Sequence, residues 1–260
     1  MSPVGKRITS IAEIYPFIAQ GATEESQLLV VFGMDLALAM PQLPALLYLA
    51  KAEYRTKLQR ILSSLPATEQ NKILALGLQV SEHQLVEENS LSIIKDIQEL
   101  QVKSIVLTAS LSRQFNNNMM SLGLQRIQKL KELGVILQNI CLQEKILLTD
   151  FSFYNQNYPT YYSRILCANG DPGTNIKGPA LVSFLLHIHF YPKQIIMVDD
   201  KNERLVYMQQ LLAMLEWNLL YNFNLLVLNT LKFINIFRHL LMKRVFILLE
   251  RTNQHQVLDS

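Results

Sequence analysis

The sequence predicts an α/β fold, a Rossmann-like, mostly parallel sheet flanked by helices. Short apolar runs rich in β-branched residues alternate along the chain with longer segments of helical periodicity. Strands that are apolar on both faces are typical of parallel sheets, which helices cover on each side. The chain has 260 residues, half of them apolar, which is enough for one large core domain with an insertion.

The predicted elements follow one another in order. Strands are predicted at five apolar runs: LLVVF (28–32), SIVLT (104–108), KILLTD (145–150), RILCAN (164–169) and KQIIMVDD (193–200). Helical spacing of apolar residues predicts helices within 42–98 and over 119–134, 177–188 and 203–215. In the helix over 119–134, one apolar face is predicted from Leu124, Ile127, Leu130 and Leu133, and Gly134 supplies the C-terminal cap.

Polar residues follow three of the predicted strands. Asp35 follows the first strand, Thr108 ends the second, and the pair Asp199–Asp200 ends the last. Lys177 begins the helix before that last strand. Ligands bind beyond the carboxyl ends of the strands in such sheets, so these side chains are predicted to converge. Carboxylates together with a hydroxyl and an ammonium group suit Mg²⁺ and a phosphate group.

These motifs resemble those of the haloacid-dehalogenase-like phosphatase superfamily, and they are most similar to a bacterial branch of it. The first motif of that superfamily, Asp-x-Asp-x-Thr, corresponds to GMDLA (33–37). Thr108 in IVLTAS, Lys177 in NIKGPAL and the acidic pair in VDDKNERL match the other three motifs. The match runs from about residue 8 to residue 215, and VDDKNERL is its most specific part. A helix N-cap or a solvated turn is the alternative role for the acidic pair.

The resemblance implies a mechanism in which the first aspartate attacks phosphorus and the second acts as general acid and base. Gly33 stands at the nucleophile position, Asp35 at the acid/base position, and Ala37 where threonine is usual. The implied phosphate-binding residues are Thr108 and Lys177. The implied metal ligands are Asp35, Asp199 and Asp200. Because glycine has no side chain, the nucleophile and one metal ligand are missing, and Mg²⁺ binding is expected to be weak or lost.

Two functions therefore remain open. One is a catalytically impaired protein that binds a phosphorylated small molecule or a phosphoprotein. The other is an active Mg²⁺-dependent phosphomonoester hydrolase with an altered mechanism. Gly33 favours the first. The net charge of +3 is weak evidence for a polyanionic partner, so no nucleic acid is expected. The two cysteines, Cys141 and Cys167, are expected to be free thiols.

Three parts are predicted within the chain. Residues 1–41 and 99–215 form the core, residues 42–98 form a small helical cap insertion over the site, and residues 216–260 form an atypical tail. Four tyrosines of the segment FYNQNYPTYY either line a pocket or pack locally in an exposed loop: Tyr154, Tyr158, Tyr161 and Tyr162.

The tail is apolar and basic, and it has several candidate explanations. It packs as helices on the core, or its residues 217–249 lie as an amphipathic helix on a membrane surface. A transmembrane helix is disfavoured because Lys232 and scattered asparagines interrupt the apolar run. The N-terminus lacks the pattern of a signal peptide. The expected location is therefore cytoplasmic, or exported without a classical signal peptide, and not integral to a membrane.

A shifted reading frame is a further explanation of the tail. The resemblance predicts a Leu-Gly-(apolar)-x-Phe-(apolar) turn where LEWNLL (215–220) stands. One permitted coding of LEWNLL is CTT GAA TGG AAT TTA TTG. Restoring a single G beside the first G of GAA makes it encode Leu-Gly-Met-Glu-Phe-Ile. The chain is then a decayed gene product, which is consistent with the loss at Gly33.

Overall fold

The computed structural model describes residues 8–22, 27–42, 52–112, 114, 120–150, 158–170, 176–214 and 224–226. Its strands are β1 (Leu28–Gly33), β2 (Ala39–Pro41), β3 (His83–Leu85), β4 (Lys103–Thr108), β5 (Lys145–Leu147), β6 (Thr160–Tyr162), β7 (Ile165–Cys167), β8 (Gln194–Val198) and β9 (Asn224–Leu226). Its α-helices are α1 (Tyr15–Gly21), α2 (Ala52–Ser63), α3 (Ala67–Val80), α4 (Ser90–Glu99), α5 (Leu122–Glu132), α6 (Lys177–His187) and α7 (Asn202–Met214). A short 3₁₀ helix, Ile11–Ile14, precedes α1.

The main sheet has seven strands in the order β5-β6-β7-β4-β1-β8-β9. The five strands β7, β4, β1, β8 and β9 run parallel to one another, whereas β6 is antiparallel to both β5 and β7. Strand β1 lies between β4 and β8, and Val31 pairs with Ile105 on one side and Met197 on the other. The predicted mixed α/β architecture with a mostly parallel sheet is confirmed.

Helices cover both faces of this sheet because β1 is apolar on each side. Leu29 and Val31 pack in one cluster with side chains of α6 and α7. Val30 and Phe32 pack in the other cluster with side chains of α1 and α4. This two-sided burial is the physical reason that β1 is a continuous apolar run instead of an alternating one.

A hairpin at one end of the sheet was not predicted. Part of the tyrosine-rich segment forms β6, and Ser163 and Arg164 turn the chain into β7 with positive φ angles of 31° and 100°. Tyr161 is fully buried and stacks on Phe184 with ring centroids 4.5 Å apart. Tyr161 is therefore a core residue instead of a residue of an exposed loop, and Tyr154 lies outside the described residues.

The segment predicted as a cap contains two kinds of structure. Strands β2 and β3 form a small antiparallel ribbon, and helices α2 and α3 lie between them in the chain. Helix α4 instead packs against the main sheet through Ile93, Ile94 and Ile97. A cap function for residues 42–98 stays a prediction.

Only a short part of the predicted tail is described. Residues Asn224–Leu226 form β9, which pairs with β8 at the edge of the sheet. The chain thus returns to the sheet although no glycine lies between Gly178 and this strand. The remaining alternatives for 217–249 fall outside the described residues. Among the helices that the structure describes, none is long and apolar enough to cross a membrane.

Candidate functional site

The predicted site residues meet at the carboxyl edge of the sheet. Strands β1, β4 and β8 are neighbours there, and Asp35, Thr108 and Asp199 follow or end them. Lys177 enters from the first residue of α6, and its ammonium group bonds the Asp199 carboxylate. Thr108 donates a hydrogen bond of 3.2 Å from its hydroxyl to Asp35 Oδ2. The structure thus brings these side chains together, and the roles assigned to them stay predictions.

Asp199 is the centre of a buried ion-pair network. Its Oδ2 accepts from Lys177, and its Oδ1 accepts from Arg204 Nη1 at 3.1 Å and from the Lys201 backbone N–H at 3.2 Å. The Asp199 side chain is fully buried, and only 5% of the Lys177 side chain is exposed. Burial raises the pKa of Asp199, but the positive charges of Lys177 and Arg204 outweigh it and lower the pKa to about 2. Asp199 is a permanent carboxylate at neutral pH.

The pKa of the neighbouring Asp200 is shifted in the opposite direction, upward. It accepts a hydrogen bond of 3.0 Å from Arg204 Nη1. Burial is the main cause that raises the pKa of Asp200 to about 6, and the hydrogen bond and negative charge of Asp199 add to it. The two acids of the pair therefore differ in pKa, and Asp199 loses its proton at a lower pH than Asp200.

Asp35 is paired with an arginine that the sequence analysis missed. Arg126 Nη1 of α5 lies 2.5 Å from Asp35 Oδ1, and Nη2 donates to Ser110 Oγ at 3.5 Å. Burial raises the pKa of Asp35, but the charge and hydrogen bond of Arg126, together with Lys177 and Thr108, hold that pKa below its usual value. Asp35 is therefore ionised at neutral pH and carries no proton to donate. The acid/base role that the resemblance implied for Asp35 stays a prediction.

Arg126 lies on the buried side of α5. Three of the four residues predicted for the apolar face also pack inward, because Leu130 is buried and Ile127 and Leu133 are partly buried against the same cluster. Leu124 was assigned to the apolar face but is 45% exposed, whereas only 7% of the Arg126 side chain is exposed. The signal in the sequence was weak: Leu122, Arg126 and Leu130 are four residues apart and share a buried face. An arginine between two buried leucines indicates an internal ion pair only when its acidic partner is known, and the sequence did not identify Asp35 as the partner of Arg126.

Gly33 leaves room for the Asp199 carboxylate. A Cβ atom on residue 33 would lie 2.9 Å from Asp199 Oδ2 and 3.2 Å from the Val198 carbonyl oxygen. Both distances are shorter than ordinary van der Waals contact, so any side chain at this position requires Asp199 to move. The space expected for a nucleophile is thus adjacent to an ion-paired carboxylate.

The acidic residues at this edge do not fit a Mg²⁺ site as they stand. Both oxygens of Asp199 already accept hydrogen bonds from cationic groups, and Asp35 Oδ1 is paired with Arg126. Across the described ranges, no three His, Cys, Asp or Glu side chains are grouped as metal ligands. A hard cation would have to displace Lys177 or Arg204 before it could reach Asp199.

Fold and site together define a mixed α/β protein with an ion-paired cluster at the carboxyl edge of its sheet. The chain matches the family described as "Protein of unknown function (DUF2608)" over residues 7–219, and it belongs to that family. No curated protein and no solved structure matches it.

The predicted membership of the haloacid-dehalogenase-like superfamily is wrong, because the matching family is a different one with unknown function. The resemblance depended on short motifs at strand ends. Doubly wound sheets in general place ligand-binding residues at that edge, so such motifs have low specificity.

Proposed function

We propose that the carboxyl edge of the sheet binds a phosphorylated small molecule and turns it over poorly or not at all. The observation that supports binding is a set of buried cations at this edge. Lys177, Arg126 and Arg204 have side chains that are 5%, 7% and 15% exposed. Cations at this depth require an anionic partner, because desolvation of an unpaired ammonium or guanidinium group is costly, and a phosphate can replace a carboxylate in that role.

The three cations are balanced internally by Asp35, Asp199 and Asp200. Asp35 is the carboxylate most open to replacement, because 26% of its side chain is exposed whereas Asp199 is fully buried. A phosphate that displaces Asp35 would receive hydrogen bonds from Arg126 and Thr108. Arg126 Nε has no hydrogen-bond partner among the described residues, so the guanidinium group has a further donor for a bidentate contact.

We attribute slow turnover to the state of Asp199 and Asp35. Asp199 is buried and both of its oxygens accept hydrogen bonds from cationic groups, which makes it a poor nucleophile. Asp35 is held by Arg126 and Thr108, so it would have to leave these partners before it could act as an acid or base. General acid catalysis alone contributes roughly 10²–10⁴-fold to a rate, and a missing nucleophile costs more, as the roughly 10⁶-fold loss in a protease shows.

Two measurements on the same purified protein test the proposal. Calorimetry with inorganic phosphate is expected to show binding that Lys177→Met abolishes and that Lys72→Met, on the exposed face of α3, leaves unchanged. Hydrolysis of p-nitrophenyl phosphate with Mg²⁺ is expected to stay at background. Binding that Lys177→Met does not weaken would contradict the site. Substantial hydrolysis that disappears in Asp35→Asn would instead support an active phosphomonoester hydrolase.

A further inference from the structure

A cavity lies beside this edge, between α5 and the paired strands β5 and β6. Its volume is about 540 Å³, which is within the range of small-molecule pockets. Two of the tyrosines singled out in the sequence, Tyr158 and Tyr162, contribute to its wall. Leu124, the exposed leucine of α5, lies on the opposite side.

The floor of the cavity is a closed hydrogen-bond network. Asn169 is fully buried, and its side-chain amide donates to Ser112 Oγ at 2.8 Å and to the Tyr158 carbonyl oxygen. The Ser112 hydroxyl donates to Thr160 Oγ1 at 3.1 Å, and the Thr160 hydroxyl donates to the Tyr158 carbonyl oxygen at 3.0 Å. Since each of these side chains is bonded to another, the floor is rigid before any ligand enters.

The cavity lies close to the cation cluster, which is the set of Lys177, Arg126 and Arg204, both along the chain and across the sheet. Thr108 pairs with Cys167 in the parallel β4–β7 register, and Asn169 follows Cys167 by two residues. Ser112 follows Thr108 by four residues, a stretch that spans at most about 14 Å. Ser110 contacts both places, because its carbonyl oxygen accepts from the Asn169 backbone N–H at 3.2 Å and its hydroxyl oxygen accepts from Arg126 Nη2 at 3.5 Å. One ligand can therefore occupy both places.

The lining selects a neutral, hydroxyl-rich group. It contains four serine or threonine hydroxyls, two tyrosines and two side-chain amides. Its charged residues are one acid and one base, Glu144 and Lys145, so the lining has no excess charge for a second phosphate. Its aliphatic residues are Leu124, Ile127 and Leu147, which suit the C–H face of a ring but not a lipid chain.

We propose that this cavity holds the organic part of the phosphorylated ligand and that this part is a sugar. The proposal rests on the proposed function, because the phosphate of the same ligand lies at Thr108, Arg126 and Lys177. Outside the closed network of the floor, Gln114, Ser121 and Ser163 exchange hydrogen bonds with the sugar hydroxyls, and the tyrosine rings pack against its C–H groups.

Calorimetry with glucose 6-phosphate, glucose and inorganic phosphate tests the proposal. Wild-type protein is expected to bind glucose 6-phosphate at least tenfold more tightly than inorganic phosphate. Leu124→Trp fills the cavity from an exposed helix position and should remove this tenfold gain without changing the affinity for inorganic phosphate. Leu186→Trp is the matched control, because Leu186 is 44% exposed on α6 and does not line the cavity.

The outcomes separate the two proposals. Equal affinities of the wild type for glucose 6-phosphate and inorganic phosphate would overturn the sugar assignment and leave phosphate binding intact. Equal losses in Leu124→Trp and Leu186→Trp would also overturn it. If neither glucose 6-phosphate nor inorganic phosphate binds, the proposed function and this inference are both overturned. Circular dichroism confirms that both tryptophan variants are folded.

Discussion

At the residue scale, the ion pair between Asp35 and Arg126 compensates two charges at this edge of the sheet. Both oxygens of Asp35 accept hydrogen bonds, from Arg126 and from Thr108. The pair is largely buried, so its partners depend on each other for charge compensation. Removing one partner of such a pair leaves an unpaired buried charge, which is among the costlier single changes in a protein.

We expect Arg126→Met to lower the free energy of unfolding by about 3–5 kcal/mol at pH 7. The pKa of Asp35 is lowered in the folded state. The stabilisation from Arg126 is therefore present above the unfolded pKa and is lost as the pH falls through the folded value. Urea denaturation at pH 7 and pH 3 should show a smaller effect at pH 3. Arg60→Met, at an exposed position of α2, is the control and should change stability by less than about 0.5 kcal/mol.

Asp200 gives the opposite pH dependence. Its pKa is raised to about 6 in the folded state, so its contribution to stability is present below the unfolded pKa and is lost as the pH rises through about 6. We expect Asp200→Asn to be more stable than the wild type at pH 8, by on the order of 1 kcal/mol. This advantage should disappear near pH 4. Urea denaturation at both pH values measures it, and a constant difference would contradict the raised pKa.

A side chain at residue 33 should be costly for stability. Gly33→Ala places a Cβ atom 2.9 Å from Asp199 Oδ2 and 3.2 Å from a backbone oxygen. Overpacking of this kind typically costs 1–3 kcal/mol, so we expect a loss of about 2 kcal/mol in urea denaturation. A variant with wild-type stability would show that Asp199 moves freely, and it would weaken the description of Asp199 as a rigidly held ion-pair centre.

At the scale of elements, α4 and the α2–α3 pair differ in how they are attached. Helix α4 places Ile97 in the cluster with β1, fully buried. Helix α3 has an exposed isoleucine, Ile73. The predicted cap over 42–98 therefore spans one helix of the core and two helices bracketed by the β2–β3 ribbon.

Paired alanine substitutions test this difference. Ile97→Ala is expected to cost about 2–5 kcal/mol, because it removes buried methyl and methylene groups and leaves a cavity. Ile73→Ala, which removes the same atoms from an exposed position, is expected to change stability by less than about 0.5 kcal/mol. Equal losses in urea denaturation would indicate that α3 is packed as tightly as α4.

At the scale of the whole molecule, the composition changes near the end of the family match. The match ends at residue 219, and the apolar, basic tail begins at about residue 216. Strand β9 (Asn224–Leu226) continues the sheet, and it begins five residues after the end of that match.

The coding DNA tests whether this change is a shifted reading frame. We expect a single-base deletion near codon 216, and restoring the base should encode a glycine turn followed by an apolar strand. A DNA sequence in which no single-base change near that codon restores such an ending would contradict the hypothesis. A membrane-surface segment would then be the better explanation, but only for residues after 226, because Asn224–Leu226 form β9. Binding of the full chain to vesicles containing anionic lipids would measure it.

The sequence by itself determined the central strands of the sheet and the edge at which the candidate site lies. Strands β1, β4 and β8 are continuous apolar runs, and a run buried on both faces is recognisable without knowledge of its neighbours. The polar residues that end these strands, Thr108 and Asp199, were predictable for the same reason. Parallel strands place their carboxyl ends together whatever the loops do.

Only the tertiary structure decided what those residues do to one another. Arg126 and Asp35 are 91 positions apart, and nothing local to either residue marks the pair. The ion pair with Asp35 compensates for burying the Arg126 guanidinium group, and the position of that acid is set by the fold. The same contact keeps Asp35 ionised. The sequence suggested Asp35 as an acid catalyst, and only the folded chain shows that its carboxylate is paired with Arg126.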